Sequence, residues 1–214
     1  MSSTSAPFGL RPAFHPSGLD RAQALANGIT SGYSSNILKG QPVQYGTTAN
    51  GGTLGTIIAA GTTGAIAGAF SGVEFTDTTG RRRVSNYWPA SIAYQTGSCV
   101  AYFYNDQNIV YEIQADGSMA QTTIGNEFNL NNLTAGSTTI GLSQATLNSA
   151  SAVGNGSQGQ VRVVDLAPYV DNAWGDSYTI VRVVIANSQF FGAVTAIAYS
   201  QGVVNGRTNA QYGL

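Results

Sequence analysis

Short runs of β-branched and aromatic residues, separated by turns that contain glycine, recur along most of the chain. The clearest run is Tyr178–Ile185, and a clear turn signal is Asp77–Gly80. Short runs at close spacing are typical of the antiparallel strands of small barrels and sandwiches. No apolar pattern keeps a helical period for more than about three turns. We therefore predict an all-β fold, built from small β-barrel or β-sandwich modules with Gly-rich turns.

A few short segments leave room for another interpretation. Ala22–Leu25 could form one helical turn, and Asp116–Ser118 could cap a short helix over Met119–Ile124. Ser143–Leu147 is compatible with a helix or a strand, and we favour a strand. We expect Gly192–Tyr199 to add a closing strand to the sheet.

The N-terminal part of the chain differs in composition from the rest. Residues 1–35 hold three of the six prolines, and proline favours extended geometry in itself and in the residue before it. Apolar side chains are spaced along this stretch, which indicates an arm that docks on its own domain or on a neighbour. We predict an extended N-terminal arm over 1–35, a small β-barrel-like module over 36–95 and a second β-rich module over 96–214. The two modules either fold separately or pack together as one domain.

The chain carries unusually few charges. Charged residues make up 9% of the sequence, against about 25% in typical soluble domains. The formal net charge is −1, so no strong field attracts nucleic acid or an anionic membrane. No apolar run approaches the roughly 18 residues of a membrane-spanning helix. The basic residues are eight Arg and one Lys, a bias toward the residue that is enriched at protein interfaces. We therefore expect an assembly protein with neither nucleic-acid nor membrane partners, although an unusual soluble domain has the same composition.

The residues that most often carry chemistry are scarce. His15 is the single histidine and Cys99 the single cysteine, so a Ser–His–Asp triad, a Cys–His pair and a four-ligand zinc site are all improbable. No phosphate-binding loop of the G-x-x-x-x-G-K-[ST] type occurs. Cys99 begins an apolar run and is predicted to be a buried small side chain. We predict that the chain is not an enzyme and holds no metal or other cofactor.

Paired carboxylates are the remaining enzymatic option. In the segment Asp171–Asp176, Trp174 lies between two carboxylates and beside an amide. This arrangement could stack a sugar, border a cation or support carboxylate-based hydrolysis. We favour a simpler interpretation, in which the polar side chains satisfy local backbone donors and Trp174 packs in the core.

Three of the nine basic residues stand together as Arg81, Arg82 and Arg83. They follow a turn and enter a predicted strand, so alternate side chains point to opposite faces. One interpretation is an anchor that pairs with carboxylates on a neighbouring subunit. The other is a solvated strand edge that discourages aggregation. The sequence does not decide between them.

Several blocks of the sequence are similar to structural proteins of tailed-phage heads. The longest is Gly72–Pro89, which contains the arginine run. Ala6–Pro12 resembles the start of the same proteins, and Asn105–Gln114 and Asp171–Tyr178 resemble later blocks. On this basis the chain resembles a head decoration, or capsid cement, protein of a tailed bacteriophage.

The resemblance implies a non-enzymatic protein that binds the outer surface of the phage capsid and bridges neighbouring major capsid subunits. It implies a homo-oligomer, with a trimer favoured, that is assembled in the host cytoplasm and located on the virion. We expect contacts with the shell or a neighbouring subunit from Phe8, Leu10, Arg11, Phe14 and the three arginines. We also expect that deleting residues 2–16 leaves the β body folded. The alternative is a tail or fibre component with a carbohydrate-binding face around Trp174.

Overall fold

The structure is a computed structural model that describes residues 2–19, 23–26, 28–47, 52–153 and 158–190. A short 3₁₀ helix lies at Gln121–Thr123. The strands in these ranges are β1 Arg11–Phe14, β2 Gln23–Ala26, β3 Pro42–Tyr45, β4 Ile57–Ala59, β5 Gly68–Thr76, β6 Arg82–Ser85, β7 Val100–Tyr104, β8 Val110–Gln114, β9 Glu127–Phe128, β10 Leu130–Asn131, β11 Gly136–Ser137, β12 Leu142–Ser143, β13 Thr146–Leu147, β14 Val161–Leu166 and β15 Ile180–Ile185.

Most strands belong to two antiparallel sheets. Sheet I has the order β1-β8-β15-β14-β9, and sheet II has the order β2-β7-β5-β3-β4 with β6 paired to β5. The strand pairs β10-β13 and β11-β12 form two small ribbons. The all-β prediction is confirmed, and within the described residues no sheet closes into a barrel.

Each sheet has its own cluster of buried side chains. Tyr111 and Val183 of sheet I are fully buried in one cluster, and Phe103 of sheet II and Trp88 are fully buried in the other. The alternation of side chains along a strand explains how β5 contributes to both, because successive residues point to opposite faces. Its Ala69 belongs to the cluster under sheet I, whereas Phe70 belongs to the cluster under sheet II. Strand β5 therefore connects the two cores.

Sheet membership does not follow the predicted boundaries at residues 35 and 95. Strand β7, which lies after residue 95, is an inner strand of sheet II, between β2 and β5. Both β1 and β2, from the predicted arm, are paired within the sheets. The buried Gln160 also donates to the carbonyls of Gly61 and Gly64, at 2.9 and 3.2 Å. Strand pairing and side-chain hydrogen bonds between residues far apart in sequence produce these connections, which local composition does not reveal.

Of the two helical alternatives, the first is wrong where the structure describes it and the second is confirmed only in part. Gln23–Ala26 is a strand. Only Gln121–Thr123 is helical within the segment predicted after residue 118, and its N-terminal residue Ala120 provides no side-chain cap. The favoured strand over Ser143–Leu147 is confirmed in part, because the range holds the end of β12 and all of β13, with two residues between them that belong to neither strand. The predicted closing strand Gly192–Tyr199 lies outside the described residues.

Candidate docking surfaces

The N-terminal segment is fixed to the body by a close backbone crossing. Gly9 and Gly40 both have positive φ, +74° and +81°, and a Cβ on Gly9 would lie 2.4 Å from the Gly40 carbonyl oxygen. Glycine is the residue that tolerates both conditions. Next to this crossing, the Leu10 amide donates to the Gly40 carbonyl at 2.7 Å. The crossing directs Leu10 inward, where its side chain is fully buried in the core under sheet I.

This burial corrects the prediction that Leu10 contacts a neighbouring subunit. A side chain with no exposed surface is not available to a partner, and it contributes to the stability of its own chain instead. The contacts of this segment also argue against the expectation that the β body stays folded after deletion of residues 2–16. Ser2 is buried and accepts a hydrogen bond from the Tyr178 amide, and β1 forms an edge of sheet I. The arm has an extended geometry, but it is an integral part of this domain.

Arg11 is held by a cluster of side chains from three parts of the chain. Its guanidinium forms an ion pair with Glu112 at 2.7 Å and donates to the Tyr169 hydroxyl. The Tyr169 hydroxyl in turn donates to Glu112 at 2.5 Å. The guanidinium also lies 4.4 Å from the centre of the Phe8 ring, within the range of a cation–π contact. Arg11 is therefore positioned by its own chain, and its side chain remains 49% exposed.

Glu112 is the buried anion of this cluster. Burial alone would raise its pKa, but hydrogen bonds from Tyr169 and Arg11, with the charges of Arg11 and Arg182, outweigh burial and hold the pKa below its ordinary value. The Arg182 guanidinium lies 3.7 Å from Glu112. The carboxylate is thus ionised at neutral pH and shared by two arginines on the outer face of sheet I.

Phe14 remains on the surface of the same sheet. In β1, Arg11 pairs with Glu112 and Phe14 pairs with Val110, with a register shift between Pro12 and Phe14. Residues two apart on β8 point to one face, so the irregularity places Arg11 and Phe14 together on the outer face. Phe14 is 57% exposed. We call this face, formed by Arg11, Phe14, Glu112, Tyr169 and Arg182, the outer arm surface.

The arginine run lies on a β-hairpin made by β5 and β6. Residues 77–80 form its turn, with Gly80 at φ +86°. The Asp77 carboxylate accepts hydrogen bonds from the Thr79 amide at 2.9 Å and the Arg81 amide at 3.0 Å. Hydrogen bonds from the Thr79 hydroxyl and the Arg81 amide, together with Arg83, hold the pKa of Asp77 far below its ordinary value. The predicted turn is confirmed.

Two of the three arginines are paired within the hairpin. Arg82 forms an ion pair with Glu74 at 2.6 Å, and Arg83 forms one with Asp77 at 3.0 Å. The Arg81 side chain has no ion pair among the described residues. The partners of Arg82 and Arg83 lie in the same chain. The pairing therefore does not decide between the two predicted roles of the arginine run, a subunit anchor and a solvated strand edge. Both side chains are largely exposed, at 69% and 55%.

The segment around Trp174 has the contacts of a turn. Asn172 is buried and donates to the carbonyls of Ala167 and Ile180, both at 2.8 Å. The Asp176 carboxylate accepts from the Ser2 hydroxyl and from the Ala173 amide. Trp174 is partly buried and packs against the core under sheet I. These contacts match the interpretation of the segment as a turn with Trp174 on the core.

The single histidine and the single cysteine are apart. His15 lies 3.3 Å from Asp106 and accepts a hydrogen bond from the Ser17 amide. Cys99 is a free thiol that is 5% exposed, and burial raises its pKa. The predicted buried position of Cys99 is confirmed. Within the described ranges, no group of three or more His, Cys, Asp or Glu side chains is placed to hold a metal ion. The same part of the chain contains no helix that is long and apolar enough to cross a membrane.

Comparisons with protein-family models, with curated proteins and with solved structures found no match to this chain. The candidate surfaces therefore rest on the geometry described above. Sequence reasoning missed the cluster that Glu112, Tyr169 and Arg182 form with Arg11. Nothing local signals that Glu112 and Tyr169 meet Arg11 across more than 100 residues, or that Arg182 lies beside Glu112. It also missed Val84, a 73% exposed residue within β6. The position of Val84 directly after the arginine run was the available signal.

Proposed function

We propose that this chain is a structural virion protein, which binds the outer surface of a tailed-phage capsid and bridges neighbouring major capsid subunits. The sequence blocks that resemble phage head proteins support this function. The observation that carries it is the outer arm surface, where an edge strand presents the exposed Phe14 and the half-exposed Arg11. Leu10 and Glu112 hold that strand in place from within the same chain.

The order already present in the arm favours binding. Association normally costs the entropy of immobilised side chains and loops. Arg11 is fixed by Glu112 and Tyr169, and Leu10 is fixed in the core, so most of this ordering precedes binding. A cement protein occupies many symmetric positions, and an oligomer, for which we favour a trimer, would add avidity to weak individual contacts. A small rigid surface is sufficient for such a role.

The exposed residues are of the types that interfaces use. Aromatic residues and arginine are enriched at protein interfaces, and a few such residues carry most of the binding energy. Phe14 and Arg11 meet this description on one face of sheet I. By contrast, the core packing of Trp174 provides no specific support for a carbohydrate-binding face of a tail or fibre protein.

The experiment is binding of the purified chain to empty, expanded heads of the phage that encodes it, followed by cryo-electron microscopy. Density outside the major shell at local or strict three-fold positions is the expected result. Phe14→Ala should weaken binding about tenfold or more. Leu54→Ala is the matched control, because Leu54 is also an exposed apolar residue, at 73%, but lies outside the outer arm surface. Density confined to the tail, or the absence of shell binding, would overturn the proposal.

A further inference from the structure

Strand β6 has one unpaired edge in the described structure. Its partner on one side is β5, with Phe75 opposite Arg83 and Glu74 opposite Val84. The Asp77 amide donates to the Arg81 carbonyl at 2.9 Å, which fixes the alternation of the ladder. In an antiparallel pair, hydrogen-bonded and non-hydrogen-bonded pairs alternate. Arg83 and Ser85 therefore bond to β5, and the amide and carbonyl groups of Arg82 and Val84 point away from it.

The centre of this edge is apolar and open. Val84 is 73% exposed, and valine is a favourable strand residue. Proteins usually protect an open edge with charged side chains, proline or a bulge. In β6 the two arginines that precede Val84 are held by Glu74 of β5 and by Asp77 of the adjoining turn. The backbone groups and the side chain of Val84 are left accessible beside them.

Two shallow clefts border the β6 edge. The first, of about 540 Å³, is lined by Phe75, Arg83, Val84 and Ser85 among others. The second, of about 410 Å³, is lined by Gly72, Val84, Ser85 and Tyr102 among others. An added strand directs successive side chains to alternate faces. The two clefts are therefore placed to receive alternate side chains of an incoming strand, as in recognition by strand addition.

The charges around the edge favour an acidic occupant. The hairpin carries three arginines, Arg81 to Arg83, but only two carboxylates that pair with them, Glu74 and Asp77. The Arg81 side chain has no ion pair among the described residues. Two copies of the chain that paired antiparallel through β6 would bring these arginines together, and like charges on paired strands are unfavourable. An extended segment with Asp or Glu residues would instead gain charge-assisted hydrogen bonds to the guanidinium groups.

We propose that the open edge of β6 binds an extended, acidic segment of the major capsid protein, which adds a strand to sheet II. This inference rests on the proposed function, because it specifies a contact through which the chain would hold the shell. It assigns the three arginines and Val84 to one surface and gives them one partner. The outer arm surface on sheet I and the β6 edge on sheet II would then be two separate contacts.

The test compares Val84→Pro with Val84→Ala in binding to empty, expanded heads. Proline at this position removes an outward-pointing amide and leaves the ladder to β5 unchanged, whereas alanine keeps the amide and shortens the side chain. We expect Val84→Pro to bind about tenfold more weakly at each site than Val84→Ala. Thermal unfolding of both variants checks that the hairpin remains folded. Equal binding by the two folded variants would overturn the inference.

Hydrogen exchange on the unmodified protein provides a second measurement that needs no variant. The amides of Arg82 and Val84 should exchange rapidly in the free protein and become protected on the heads, whereas the amide of Arg83 is protected in both states. Unchanged exchange at Arg82 and Val84 on occupied heads would overturn the inference but leave the proposed function intact. Protection that appears without heads, together with a concentration-dependent dimer, would show that a second copy is the occupant and would also overturn it. Failure of the unmodified protein to bind heads would overturn the proposed function itself.

Discussion

Replacement of Leu10 by alanine should destabilise the whole domain, although Leu10 lies only ten residues from the start of the sequence. The side chain is fully buried in the core under sheet I. Truncation to alanine removes about three carbon groups, worth roughly 2.4 kcal/mol at about 0.8 kcal/mol each. The adjacent backbone is held by the Gly9–Gly40 crossing and by the 2.7 Å hydrogen bond from Leu10 to Gly40. The cavity therefore cannot collapse easily, and we expect a loss of about 3–4 kcal/mol in the free energy of unfolding.

Phe14→Ala is the matched comparison, because Phe14 belongs to the same strand region but is 57% exposed. Its effect on the free energy of unfolding should be about 1 kcal/mol or less. Urea unfolding followed by tryptophan fluorescence measures both variants, since Trp174 packs against the core under sheet I and Trp88 is fully buried in the core under sheet II. A Leu10→Ala variant within about 1 kcal/mol of the unmodified protein would refute the conclusion that the arm is part of the core.

Four further predictions test individual features of the structure. Glu112→Gln should lower stability at pH 7, because the lowered pKa of Glu112 stabilises the fold above the unfolded value of about 4.3. This contribution disappears as the pH falls through the lower folded pKa, so the urea midpoints of variant and unmodified protein should approach each other as the pH is lowered below the unfolded value. Gly9→Ala should cost about 1–3 kcal/mol by urea unfolding, because its φ is positive and its Cβ would collide with the Gly40 carbonyl. Cys99 should react with a thiol reagent such as DTNB in urea but only slowly in the folded protein, and rapid reaction of the native thiol would contradict its burial. Asp77→Ala should increase hydrogen exchange at the Thr79 and Arg81 amides, which lose their acceptor; unchanged exchange would show that the carboxylate does not order the turn.

The strands with a strong local signal were predictable from the sequence. β-branched and aromatic composition predicted a strand at Tyr178–Ile185, and β15 begins two residues later and ends at the same residue. The turn at Asp77–Gly80 was predictable because aspartate and glycine have specific roles in turns. Buried Cys99 followed from its apolar neighbours. Each of these features depends on residues adjacent in the sequence.

The features that the sequence did not reveal depend on distant pairing. The spacing of apolar residues along an extended arm does not predict which of them is buried and which is exposed. The Gly9–Gly40 crossing decides that Leu10 is buried, and the shift in register after Pro12 decides that Phe14 is exposed. Similarly, Arg11 acquires its partners from β8 and from the turn that contains Tyr169. No local pattern encodes such contacts, so the arm could be recognised as extended but not as integral.

The pairing of arginines within the chain has a consequence for how the surface can bind. Arg11, Arg82, Arg83, Arg162 and Arg182 each lie within ion-pair distance of a carboxylate of the same chain. Their charges are therefore partly balanced before any partner arrives, and exposed pairs of this kind add little to stability. These ion pairs instead fix the geometry of the surface. A guanidinium that is paired within the chain holds its strand in place, and the neighbouring backbone and apolar groups remain exposed. This arrangement occurs twice. Phe14 is exposed near Arg11, and Val84 is exposed directly after Arg82 and Arg83. A protein with so few charges would then bind mainly through shape, strand edges and single apolar residues. The paired arginines would set the position of each contact, and the excess positive charge at the β6 edge would select an acidic partner.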